Sequence, residues 1–508
     1  MWGTLRDAFG GKFMLMVAVS QHILKGLVAG GGSAGWIGLP QQYVYRKLGA
    51  SSTEMQLYIA AANTPWSLKP LFGLLSDMFP ICGWNKNSYL FLVTVLVVPA
   101  YLLLVIAPPW SSAVLVTVAF LLMFLQVAIV DLLVEAKYAE AIRGNPQHGP
   151  LLVTFVWVGV FGFGMISTGV VGWAIQTWQD KLGYIYLGAL FFVLWILAPT
   201  LLNWLGEIKG ATDWARVKSH TRYFVFSGLL ACISLGTGFL GMFQKSPVVL
   251  LVAVLISSAI LLVSIRFVVN KTIANATTFF FLQNILGLRL DSTLFVFFTE
   301  FAGGPRFGPI FYVTVLGVVA NACSLIGIAF YKRFFSTSKY RTIFIVNNLV
   351  LCLLSLPSIL IYGRWNLQLG IPDTVFVIGT GVIQQVVSML SWMPSIIMIS
   401  QLCPPSLEAC IYAIVAGMMN LGSNLAAILG TCLVSALGIT DTNFQNLYIA
   451  ALISTFLPLL SLLLVGCTIP DARQNQSLAP PAPADLELAS VTRVPPDSEP
   501  PAIPPVQL

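Results

Sequence analysis

Apolar runs of about 20 residues recur through this chain of 508 residues, and a run of that length is what an α-helix needs to cross roughly 30 Å of hydrocarbon. The runs are continuous and do not alternate inside and outside over about 10 residues, which argues against a β-barrel. Only 9% of the residues are charged and 57% are hydrophobic. A soluble domain carries roughly 25% charge, so lipid is the solvent for most of the chain. The expectation is an all-α polytopic membrane protein.

Reading apolar runs against their polar breaks predicts spans near 14–38, 54–77, 88–107, 111–136, 150–176 and 182–204. A polar stretch follows at 205–221, then two close spans near 222–243 and 247–268. Six more follow near 272–298, 307–330, 342–363, 372–400, 406–437 and 444–468. That makes about fourteen, grouped six, two, six, with outer blocks of similar length, as two parallel half-repeats would have. The expected domains are an N-terminal six-helix bundle at 1–204, a cytoplasmic linker at 205–221, two additional helices at 222–268 and a C-terminal six-helix bundle at 269–470. The Pro-rich tail at 471–508 has too little apolar content to pack and is expected to be disordered.

Basic residues favour cytoplasmic loops. With the N-terminus inside, Arg6, Lys12, Lys86, Lys137, Arg143, the 205–221 stretch, Lys271, Lys332, Arg333, Lys339 and Arg341 all fall on that side. Arg46, Lys47, Lys245, Arg306 and Arg364 are left outside, and an even number of spans puts both termini in the cytoplasm. The formal charge of +7 is spread over these loops, an orientation signal and not a nucleic-acid surface. The eight cysteines form no CxxC pair and sit in or beside apolar runs, as small buried hydrophobes do. With histidine only at positions 22, 148 and 220, no metal-spaced cluster and no nucleophile with its base is visible. No enzyme activity, metal or cofactor is therefore expected.

Three stretches carry a likeness. Pro65-Trp66-Ser67-Leu68-Lys69-Pro70-Leu71-Phe72-Gly73-Leu74-Leu75-Ser76-Asp77 continues to Pro80, Gly83 and Tyr89. Asp131-Leu132-Leu133-Val134-Glu135 runs into Tyr138-Ala139-Glu140 and Thr154-Phe155-Val156-Trp157. Cys403-Pro404 leads through Glu408-Ala409 and Tyr412-Ala413 to Asn420 and Gly422. As a set they resemble the signature of the folate–biopterin transporter family, a branch of the major facilitator superfamily, in a version similar to the protozoan members. Where that family usually has a basic run after Gly83, Trp84-Asn85-Lys86-Asn87 leaves one charge. The resemblance covers about residues 20–468. It implies two six-helix bundles that move a folate, a pterin or, in some members, S-adenosylmethionine, often with a proton. A monomer in the plasma membrane is expected. A channel or sensor built on the same helices is the alternative class, showing flux without saturation or binding without flux.

A charge at the centre of a membrane helix costs about 2.5–3.5 kcal/mol on insertion scales. His22, Lys25, Lys69, Asp131, Glu135, Arg289 and Asp291 therefore each need a reason. Lys69 lies eight residues from Asp77, roughly 12 Å deeper along a helix. It is either a cation for a solute carboxylate or a lysine that snorkels or pairs with a buried acid. Pro65 and Pro70 bracket a helix distortion that frees carbonyls near Trp66 and Lys69. His22 and Lys25, three apart, share a face that lines a cavity or anchors at the interface. Asp131 and Glu135 at i, i+4 suit a proton carrier, or else a latch to Lys86, Lys137 or Arg143 at the cytoplasmic mouth. On an intact helix Arg289 and Asp291 point apart and cannot pair.

Polar stripes at Gln384, Ser388, Ser391 and Ser395, and at Tyr412, Asn420 and Asn424, mark faces that avoid lipid. Trp66, Trp157 and Trp392 can stack on a flat heteroaromatic, or simply pack or form an interfacial belt. The expected solute set is thus Lys25, Lys69, Arg289, Trp66, Trp157, Gln384 and Trp392. The proton set is Asp131, Glu135 and Asp291, and the gate is Asp77 with Glu408.

Overall fold

The computed structural model describes residues 1–31, 35–106, 112–403 and 408–474, apart from the side chains of Arg143, Pro146, Arg216, Glu408 and Ala409. Helices α1 (Trp2–Phe9) and α2 (Gly11–Val17) open the chain, and α2 runs on as a π-helix, Ala18–Val28. Next come α3 (Gln41–Lys47), α4 (Ser52–Ala62), a 3₁₀ turn (Thr64–Ser67), α5 (Lys69–Met78), α6 (Asn87–Ile106), α7 (Ala113–Gly144) and α8 (Gly149–Thr177). They are followed by α9 (Gly183–Leu201), α10 (Trp214–Ser219), α11 (Thr221–Phe243), α12 (Pro247–Val268), α13 (Lys271–Leu286) and α14 (Asp291–Thr299). The chain closes with α15 (Ile310–Phe334), α16 (Tyr340–Tyr362), α17 (Trp365–Gln368), α18 (Asp373–Leu402), α19 (Glu408–Ala436) and α20 (Leu447–Thr468).

Among the described residues twelve helices are long and apolar enough to cross a membrane. The segments expected at 14–38 and 54–77 fall outside that set. Both are helical, but the first changes to π-helix at Ala18 and the second breaks between α4 and α5. Two further expectations need correction. The span placed at 111–136 continues to Gly144, and Lys137 pairs with Glu140 at 2.8 Å within the extra turns. The tail expected to be disordered from 471 instead packs over Asp471–Gln474. There Lys339 meets Asp471 at 3.1 Å, and Gln474 donates to Phe335 O at 3.0 Å and accepts from Gln401 Nε2 at 2.6 Å. Those contacts are polar, which an argument from apolar content overlooks; the remainder, 475–508, lies outside the described residues.

Small residues set the close approaches. The π-helix lies against α8, where a Cβ on Gly159 would occupy the ring of His22. In the second half α15, α16 and α18 pack together, and α13 packs on α19 and α20. Helices α11 and α12 sit astride the seam between the halves: α11 packs on α4 with Gly238 against Ala61, and α12 packs on α19.

The halves meet where α4 and α5 face α19, α4 faces α14, and α8 faces α15. At the end carrying α3, Arg46 ties them. Its guanidinium contacts Glu300 at 2.6 Å and Asp441 at 2.6 Å, and Ser52 N donates to Asp441 Oδ1 at 3.1 Å. Sequence reading left Arg46 as an exception to the charge bias, whereas its planar fork here spans two carboxylates of the opposite half. At the other end, by contrast, Asp77 with Lys86, Lys137 with Glu140 and Lys339 with Asp471 each pair within one half.

Between α13 and α14 the chain leaves helix at Gly287 and passes directly over Gly430 of α19, where an added Cβ would strike the Arg289 carbonyl. Gly430→Ala is therefore expected to cost about 1–3 kcal/mol through overpacking. A lower unfolding temperature of the purified protein in detergent is the expected result; an unchanged one contradicts this packing.

Candidate solute-binding cavity

The central site is built where helices break. Pro65 lacks an N–H to donate and Pro70 lacks another, so the second segment cannot run through as one α-helix and tightens to 3₁₀ over Thr64–Ser67. The break leaves Trp66 O free to accept from Asn420 Nδ2 of the other half at 3.1 Å. It also brings Trp66 and Lys69 to one cavity. The first segment contributes Lys25 from its π-helix, and positive φ at Gly30 and Gly31 then turns the chain away.

Three segments of the first half converge on one carboxylate. Lys25 Nζ lies 2.8 Å from Asp131 Oδ1, and Lys69 Nζ donates to Asp131 Oδ2 at 2.7 Å. Asp131 is 2% exposed and Lys25 7%, so these are buried charges that satisfy one another. Each ammonium also faces an indole: Lys25 sits 5.0 Å from the Trp157 ring centre and Lys69 4.6 Å from that of Trp66. Trp392 of the other half meets Trp157 edge-on at 4.9 Å. One turn from Asp131, Glu135 accepts from Tyr138 OH at 3.1 Å.

These groups line a cavity of 290 Å³ between the halves. From the first half come Lys25, Asn63, Trp66, Lys69, Asp131, Glu135 and Trp157; from the second come Arg289, Trp392, Tyr412, Asn420, Ser423 and Asn424. Lys25 and Lys69 face Asp131 and Glu135 there, and Arg289 enters already paired with Asp291, so the cations of the cavity are balanced by carboxylates.

Several sequence expectations land elsewhere. Asp131 is clamped by Lys25 and Lys69, so it forms no latch to Lys86 or Lys137, which pair with Asp77 and Glu140. Arg289 and Asp291 do pair, at 2.7 Å, because the helix expected to separate them is broken at Gly287. The break is held from both sides. Gln56 of α4 donates to Arg289 O at 3.2 Å and accepts from Ser292 N at 2.8 Å, while Arg289 N donates to Ala426 O at 3.3 Å. Asp291 consequently lines the two cavities beside the central one and not the central one itself. Gln384 is also displaced from the expected set. It donates to Leu354 O at 3.0 Å and Ser358 Oγ at 3.1 Å and lines two other cavities within the second half. Asp77 pairs with Lys86, whose Nζ also reaches Ser76 Oγ at 2.9 Å. The side chain of Glu408 lies outside the described residues.

Sequence reasoning passed over Asn63, Ser423 and Gln56, since it searched the spans for charge and for polar stripes, and these three fall in none of the stripes it named. An uncharged amide inside an apolar run was the available signal for Asn63 and Gln56.

Residues 36–480 match the BT1 family. The chain is similar to a folate-biopterin transporter of Synechocystis sp., at 28% identity over 81% of this chain and 74% of that one. It is also similar to probable folate-biopterin transporter 4 of Arabidopsis thaliana, at 25% over 91% and 96%, and to folate transporter 1 of Plasmodium falciparum, at 22% over 77% and 68%. Among solved structures it shares the fold of a peptide transporter POT in complex with sulfate, with a TM-score of 0.65 and 13% identity over 91% of this chain and 97% of that one. The xylose transporter XylE from E. coli in its inward open conformation superposes with a TM-score of 0.59, at 13% identity over 94% and 100%. With a match that runs through both halves and takes in every cavity residue named above except Lys25, the chain belongs to the BT1 family.

Proposed function

We propose that this protein carries folates or pterins across a membrane by alternating access, with two six-helix bundles, 1–204 and 269–470, rocking about the central cavity. The observation that carries the reading is one cavity that brings Lys25, Lys69 and Arg289 together with three indoles at the interface of the two halves. A pterin ring is flat and heteroaromatic and can stack against Trp66, Trp157 and Trp392. A carboxylate meets Lys25, Lys69 and Arg289. Relatives named as folate-biopterin and folate transporters support the solute class.

The Arg46 latch ties the halves by ion pairs at the α3 end, while the Asp77–Lys86 and Lys339–Asp471 pairs at the opposite end each lie within one half. Basic loops put that opposite end in the cytoplasm, with both termini, and the membrane in this reading is the plasma membrane. Glu135, the cavity carboxylate without a lysine partner among the described residues, carries the coupling proton; Asp131 serves to hold its two lysines. The protein works as a monomer.

Uptake of labelled folic acid and biopterin into proteoliposomes under an imposed pH gradient tests this. Saturable uptake is expected, crippled by Lys69→Ala and uncoupled from the pH gradient by Glu135→Gln. Flux that never saturates, or none above empty liposomes, overturns it. The buried cluster makes a second prediction, read in thermal unfolding. Asp131→Leu leaves two ammonium groups buried without their counter-charge and costs about 3–5 kcal/mol, whereas Lys25→Met/Lys69→Met/Asp131→Leu together recovers most of it. Equal unfolding of the two variants contradicts the pairing.

A further inference from the structure

A second cavity, of 180 Å³, lies between the halves on the latch side of the central one. The two share Asn63, Arg289 and Asn424 as lining, so they adjoin at Arg289. This volume is far above the roughly 10–15 Å³ that one water requires, so the cavity has room for a group of several heavy atoms.

Its chemistry is one-sided. Gln41 Nε2, Tyr43 OH, Ser292 Oγ and Asn424 Nδ2 belong to lining side chains, are buried, and meet no hydrogen-bond partner among the described residues. Gln41 is 1% exposed, Ser292 0% and Asn424 8%. Both amide nitrogens can only donate, and both hydroxyls can donate. Arg289 adds the rest of its guanidinium, since Asp291 accepts from Nε. A set of buried donors without acceptors is costly when empty and strongly favours a ligand rich in acceptor oxygens. Asp291 also lines the cavity, but its charge is matched by Arg289 at 2.7 Å. The set is held in place by Gln56, which fixes both Arg289 O and Ser292 N.

We propose that this cavity is a carboxylate subsite, taking the anionic tail of a solute whose ring lies among the indoles of the central cavity. It rests on the carrier reading above and adds that the protein selects for the tail: a pterin bearing a carboxylate side chain binds better than one without. The two cavities then read one elongated molecule, with Arg289 at the waist.

The test compares folic acid with biopterin, which lacks a carboxylate, in proteoliposomes of the wild type and of Tyr43→Phe/Ser292→Ala. Neither residue lines the central cavity. Loss of two hydroxyl donors to a charged group is expected to raise the folic acid KM by about tenfold and to leave the biopterin KM within about twofold. An equal shift for both solutes, or none for folic acid, overturns the subsite. Wild-type protein that carries biopterin without preferring folic acid removes the subsite and leaves the carrier standing, whereas carriage of neither removes both. If the double variant does not survive purification, Gln41→Met, which keeps the length and removes both polar atoms, is held to the same outcomes.

Discussion

One carboxylate holds the first half of this protein to its task. Asp131 on α7 draws Lys25 from the π-helix and Lys69 from the start of α5 into a buried cluster, each within 2.8 Å. Either lysine alone would be an expensive charge at bilayer depth, at about 2.5–3.5 kcal/mol, and Asp131 alone no less so. Together they offset one another, and Glu135, one turn along α7, supplies the second carboxylate of the cavity. Because Trp157 and Trp66 face the same ammonium groups, charge and aromatic surface are delivered to the cavity by a single arrangement.

Irregular backbone at membrane depth is tolerated only where it is enclosed by protein or lines a wet cavity. The interruptions around the site follow that rule. The π-helix delivers Lys25, the 3₁₀ turn delivers Trp66 and exposes its carbonyl to Asn420, and the loop after Gly287 delivers Arg289. On the latch side the second and third are coupled through Gln56 on α4, one turn beyond Ser52, whose N–H meets Asp441. The Arg46 latch and the seat of Arg289 thus share one helix, α4, through Ser52 and Gln56.

The architecture was legible because its signals are local. Apolar runs fixed the helices, and Pro65 and Pro70 announced the break near Lys69, since proline's missing donor needs no knowledge of the fold. Lys25, Lys69, Asp131 and Glu135, singled out by depth, and Trp66, Trp157 and Trp392, singled out as rings able to stack on a flat solute, reached one cavity. Their pairing was not legible: Lys69 and Asp131 are 62 residues apart, and which acid a buried lysine finds is decided by packing. Arg289 and Asp291 point apart only on an intact helix; Gly287 is a residue type that often ends helices, but what fixes the break here is Gln56 and Gly430, both remote in sequence. Gln384 shows a different limit. Its stripe of polar residues does face a cavity, but periodicity gives a face and not the neighbour across from it.

If the cavity charges are tolerated because they line a wet passage open to one side at a time, water-soluble reagents must reach that passage from one face only. The direct measurement places a single cysteine at Ala416, which lines the central cavity, with the eight native cysteines replaced. A membrane-impermeant thiol reagent is then applied to each side of oriented vesicles. The account predicts modification from the side opposite the Arg46 latch, slowed by folic acid. No modification from either side, or equal modification from both, would contradict it.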